Sequence, residues 1–131
     1  MMQAKTSRDL PAGPAAGMPA ITGGPRWRAL LETRWRARLQ EVTELALAYH
    51  EAAAGAGHDA GGRDSGLRLR QLLRRTVASR RALADTEEAL ARLAAGSYGW
   101  CESCAGAIGA GRLAIVPETR YCARCAQGRA S

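Results

Sequence analysis

Cys101-Glu102-Ser103-Cys104 and Cys122-Ala123-Arg124-Cys125 decide how this chain folds. Each C-x2-C turn aims two thiolates at one point. With 17 residues between the pairs, two such turns can close a tetrahedron around one ion, in the spacing of a four-cysteine metal site. A closed set of four sulfurs suits the tetrahedral, redox-silent coordination of zinc. The same set suits a rubredoxin-like iron centre, an alternative the sequence leaves open. Two disulfides would suit a small secreted domain, but no apolar signal segment opens the chain and all four cysteines crowd into residues 101–125. A catalytic zinc needs an open position, typically with His or carboxylate ligands, and the only histidines, His50 and His58, lie far upstream. The expectation is one structural zinc held by Cys101, Cys104, Cys122 and Cys125.

Upstream of the cysteines, apolar residues recur at steps of three and four. Leu31, Trp35, Arg38, Val42, Leu45, Tyr49 and Ala52 form a heptad seam, and Trp27, Leu30 and Leu39 widen it. A second seam has two rows: Leu69, Thr76, Leu83 and Leu90, then Leu72, Ser79, Thr86 and Leu93, with Leu73 and Val77 flanking. Between the seams, four glycines among residues 55–62 mark a connection, placed at about 55–66, and Asp64 or Ser65 can cap the helix that follows. Pro25 suits a first helical position, and Gly96 is placed to end the second helix in a left-handed conformation. Two helices of similar length, each with one apolar seam, pair as an antiparallel hairpin. Residues near 30 should then face residues near 90. The polar seam members Arg38, Ser79 and Thr86 are expected to set the register of that pairing rather than to form a site.

The expected architecture is mainly α. Residues 1–24, rich in Pro, Gly and Ala, read as a disordered tail. Residues 25–96 read as the coiled-coil hairpin, and 97–131 as the zinc finger with a C-terminal tail. Gly99 lets the chain turn so that Cys101 enters the metal shell, while Tyr98, Trp100 and Tyr121 can cover the knuckles. Pro117 fixes a bend before the second pair. Arg112 and Arg120 could donate toward the cysteine sulfurs or a partner, and a solvated role is the expectation for each.

The net charge of +7 and isoelectric point near 10.1 come almost wholly from arginine, with Lys5 the only lysine. Such a balance suits an acidic partner, although a GC-rich coding sequence produces the same bias. No stretch approaches the ~20 apolar residues that span a bilayer, so no membrane association and a cytoplasmic location are expected. No Ser/His/Asp set, paired catalytic carboxylates or phosphate-cradling loop with Gly-Lys-Ser/Thr is present, so no catalytic residue and no enzymatic activity are expected.

One longer stretch carries a family likeness. Ala89-Leu90-Ala91-Arg92-Leu93-Ala94-Ala95-Gly96-Ser97-Tyr98-Gly99-Trp100-Cys101-Glu102-Ser103-Cys104 continues into Ile108-Gly109, Arg112-Leu113, Pro117, Cys122 and Cys125. Over about residues 83–126 this resembles the DksA/TraR family of bacterial transcription factors, and the preceding hairpin has the family's layout. The resemblance implies a regulator that binds RNA polymerase, inserts its hairpin into the secondary channel and uses acidic tip residues to alter initiation.

In that family the tip carries two aspartates three apart followed by alanine. Here Asp59 and Asp64 are five apart without that alanine, and Arg63 and Arg68 flank them. The tip is therefore expected to be degenerate. Ala105 also stands where the family has glycine after the second cysteine. A nucleic-acid-binding module is the alternative, since Arg68, Arg70, Arg74, Arg75, Arg80 and Arg81 can track phosphates. Against it, the finger offers no obvious helix to enter a groove.

Overall fold

The structure, a computed structural model, describes residues 21–58 and 63–130. It is an antiparallel pair of long helices, α1 (Gly24–His58) and α2 (Arg63–Ala95), followed by two short ones, α3 (Ala110–Ile115) and α4 (Ala123–Ala130). No strand occurs among the described residues. An isolated antiparallel bridge joins Trp100 to Ala107. Most of the tail expected over 1–24 and the tip residue Asp59 lie outside the described residues. Among the described residues no helix is long and apolar enough to cross a membrane.

Local chemistry accounts for the helix limits. Gly23, at φ 76°, accepts from the N–H groups of Arg26 and Trp27, and Pro25 falls in the first turn, where its missing N–H costs nothing. At the other end of α2, Gly96 takes φ 85°. The Gly96 N–H donates to the Leu93 carbonyl and the Ser97 N–H to the Arg92 carbonyl, the paired bonds of a Schellman terminus.

The helices run further into the glycine-rich segment than the expected connection at 55–66: α1 continues to His58 and α2 starts at Arg63. Helical residues gain one bond per residue once nucleated, which offsets the intrinsic cost of Gly55 and Gly66. Asp64 is therefore a first-turn residue rather than the cap, with its charge at the positive end of the helix.

The chain divides into two compact units. One joins the segment up to Glu32 with everything from Thr86 onward; the other is Thr33–Asp85. The first unit holds the main core: Trp27, Leu31, Ala89, Tyr98, Cys101, Ile108 and Leu113 are buried together, with Leu30, Leu90, Leu93 and Tyr121 packed against them. Residues near 30 meet residues near 90, as the paired seams require.

In the second unit the seam positions Leu45, Leu72 and Ser79 are buried. Leu39, expected to widen the stripe, is 40% exposed, and Leu73 and Val77 stand about half exposed. This seam is a narrow coiled-coil stripe without the wider apolar face.

Candidate metal centre

The finger begins where α2 ends. Gly99, at φ 92°, turns the chain after Tyr98, and the Ile108 N–H then donates to the Gly99 carbonyl across 2.7 Å. Within that small loop the Cys101 N–H donates to the Gly106 carbonyl and the Ala105 N–H to the Cys101 carbonyl, each at 2.8 Å. These bonds curl residues 101–106 into a knuckle, and the Ser103 N–H points at the Cys101 sulfur across 3.4 Å. The second knuckle, Cys122 to Cys125, leads into the first turn of α4, closed by the Ala126 N–H to the Cys122 carbonyl at 2.8 Å. The Glu102 N–H donates to the Arg120 carbonyl at 2.8 Å and ties the two knuckles together.

The four sulfurs all lie within 4.8 Å of one another, and Cys104 Sγ is 4.0 Å from Cys122 Sγ. A tetrahedral zinc with bonds of about 2.3 Å sets its sulfurs about 3.8 Å apart. The residues therefore fit the ion that the spacing called for. Cys101 is buried, while Cys104, Cys122 and Cys125 are half-buried.

Burial pushes the Cys101 thiol up. Backbone N–H groups of Cys104, Cys122 and Ser103 outweigh that effect and bring it from 9.0 down to about 6. Cys122 is lowered, first by the Cys125 backbone N–H and then by the Cys125 thiol. Cys125, which gives its hydrogen bond to Cys122, is raised to about 11. Cys101 is thus prepared as a thiolate, the form that ligates a metal, and Cys122 is shifted in the same direction. A bound zinc would supply folding energy, about 10 kcal/mol or more in zinc-finger peptides. All four donors are cysteine sulfurs, so a zinc held by the full set has no open catalytic position.

The surrounding residues fix this loop to α2. Tyr98, 3% exposed, lies 6.1 Å from Trp27 in a tilted ring pair and donates its hydroxyl to the Pro117 carbonyl at 2.9 Å. Pro117 is fully buried, so the expected bend is also a packing point. Thr86 donates to the Glu118 carboxylate at 3.0 Å, and Arg92 to the Glu118 carbonyl at 3.3 Å.

Three expectations are corrected here. Thr86 is bound to the finger loop rather than serving only as a register residue. Arg112 is not solvated: its Nε donates to the Tyr121 carbonyl at 2.9 Å and its guanidinium reaches Thr119 Oγ1 at 3.4 Å. Arg120 forms an ion pair with Glu88 and reaches Glu102 at 3.6 Å. The signal for Arg112 lay in its placement between the cysteine pairs, where short chains need side chains to satisfy buried carbonyls. The finger also holds two helices that sequence reasoning missed, α3 with fully buried Leu113 and α4. Of the tip residues, Asp64 is exposed at the start of α2.

Residues 96–129 match the prokaryotic dksA/traR C4-type zinc finger. An uncharacterized protein of Aquifex aeolicus (strain VF5) is 44% identical over 45 residues, 34% of this chain and 31% of that protein; the match thus spans about a third of the relative's length. Over 94% of this chain and 95% of the other, the fold superposes on the structure of transcription factor DksA2 from Pseudomonas aeruginosa with a TM-score of 0.73 at 22% identity. At that identity the likeness is one of fold.

Proposed function

We infer that this chain, whose residues 96–129 are a C4 zinc finger of the dksA/traR type, is a non-enzymatic regulator of bacterial transcription that works by binding RNA polymerase. The supporting observation is the order of parts: an antiparallel hairpin, a Schellman-terminated helix end, then a four-sulfur centre built into the same core. In this reading the zinc is structural, the protein is cytoplasmic, and the hairpin enters the polymerase's secondary channel. Cys101, Cys104, Cys122 and Cys125 hold the metal.

The tip then acts with a reduced charge. Asp59 and Asp64 are separated by five positions rather than three, and Arg63 and Arg68 offset them. Channel docking is therefore assigned to the helices and finger, with the aspartates secondary.

Zinc-loaded wild type and the Asp59→Ala/Asp64→Ala variant, each tested against purified bacterial RNA polymerase, check this directly. Binding by both, with the same effect on transcription, is expected. No binding by folded, zinc-loaded wild type overturns the assignment.

A further inference from the structure

Between Asp64 and Asp85 the second helix carries six arginines, at 68, 70, 74, 75, 80 and 81, and no carboxylate. All six are exposed. None has an ion-pair partner among the described residues. Arg120, by contrast, is paired with Glu88 and reaches Glu102. Thirteen residues at 1.5 Å each put the six guanidinium groups within about 20 Å of helix.

Their placement around the helix is also informative. Leu72 and Ser79 face the interior of the Thr33–Asp85 unit. At 100° per residue, Arg74 and Arg81 point about 200° away from those two, and Arg70 joins them on the same outward stripe. Arg68 and Arg75 repeat every seven residues along one flank, where Arg68, Gln71, Leu72, Arg74 and Arg75 line a shallow cavity of about 320 Å³. Arg80 occupies the other flank. Arg70, Arg74 and Arg81 thus form the outward stripe, while Arg68 and Arg75 on one side and Arg80 on the other stand beside the buried seam, so exposed charge borders the helix on both sides, as a two-sided phosphate array requires.

We propose that this arginine face of α2 binds duplex DNA through its phosphates, independently of base sequence. Single strands are disfavoured because they are held by aromatic stacking, and no aromatic side chain occurs between Arg63 and Asp85. Duplex RNA is disfavoured because its major groove is too deep and narrow for a helix. B-DNA offers a groove about 12 Å wide and one charge per ~1.7 Å of axis. The activity is separate from polymerase binding and needs neither tip aspartate.

The test is fluorescence anisotropy of a short labelled DNA duplex titrated with the zinc-loaded full chain, between about 50 and 200 mM salt. Arg70→Gln/Arg74→Gln/Arg81→Gln removes the outward stripe and retains a good helix former. Arg28→Gln/Arg36→Gln/Arg124→Gln removes the same charge elsewhere. With six phosphate contacts, wild-type affinity should fall about 10³-fold over that salt range, and the stripe variant should lose about three units of log–log slope. The control variant should stay close to wild type.

Equal losses in both variants would reduce the effect to net charge and overturn the proposal. So would an unchanged stripe variant, or a salt-insensitive wild type. Binding to polyglutamate as tight as to DNA would overturn it in favour of an acidic protein surface. Equal affinity for single-stranded or RNA competitors would overturn the duplex DNA assignment.

Discussion

Thr86, fully buried on α2, donates its hydroxyl across 3.0 Å to the carboxylate of Glu118, a residue 32 positions later in the loop before the second cysteine pair. The hydroxyl sits at a seam position where an aliphatic side chain would pack equally well. Its value lies in the partner. Replacing Thr86 by Val keeps the shape and removes one donor from a part-buried carboxylate, which costs about 1 kcal/mol. Thr86→Val should therefore lower the midpoint of urea unfolding in zinc-loaded protein, and Thr86→Ser should recover most of the loss. An unchanged midpoint in Thr86→Val would show that water serves Glu118 as well as the threonine does.

Ser79, two turns earlier on the same row, makes the opposite case. Its hydroxyl is buried and has no hydrogen-bond partner. Removing an unpaired buried polar atom lowers the desolvation cost of folding. Ser79→Ala is expected to leave stability equal or raise it by about 1 kcal/mol, read from the same urea curves. A clear destabilisation would mean that the hydroxyl sets the helix pairing.

The contrast between Thr86 and Ser79 marks the limit of what the chain's pattern discloses. Both are polar members of one heptad row, and periodicity assigns them one role. The hairpin and metal set were legible because they rest on local rules: step-of-three-and-four spacing, a glycine at a helix end and two C-x2-C turns. Leu39 was not, because seam spacing does not say how wide the buried stripe is, nor were the two short helices, because their burial depends on how the finger packs. Arg112 and Arg120 look like surface charges in sequence. Only the fold brings the Tyr121 carbonyl, Glu88 and Glu102 within their reach.

Ala105 adopts φ 62°, the left-handed region, directly after the first knuckle. A side chain with a Cβ pays about 1 kcal/mol or more there relative to glycine. Its N–H is held by the Cys101 carbonyl, so the backbone cannot relax away without opening the knuckle. Ala105→Gly should raise the thermal midpoint of the zinc-loaded protein by a few degrees and slow zinc loss to a chromogenic chelator. The freer unfolded chain of the glycine variant opposes this gain, so the net effect is about half the strain. Faster zinc loss would show that the strain is already relieved by the loop.

Removing the metal separates the two sources of stability. The core around Leu31 and Leu113 includes Cys101 and is lined by Cys104, Cys122 and Cys125, so the finger's packing depends on the sulfurs staying together. The Thr33–Asp85 unit contains none of them. Chelation, or Cys122→Ser, should collapse the dispersion of amide signals from residues 97–130. Most far-UV helicity should survive, because α1 and α2 hold 35 and 33 residues. One zinc per chain should appear on release, consistent with four ligands in a single cluster. Loss of nearly all helicity on chelation would show that the hairpin cannot stand without the finger. The unit boundary near Glu32 and Thr86 would then carry no independent stability.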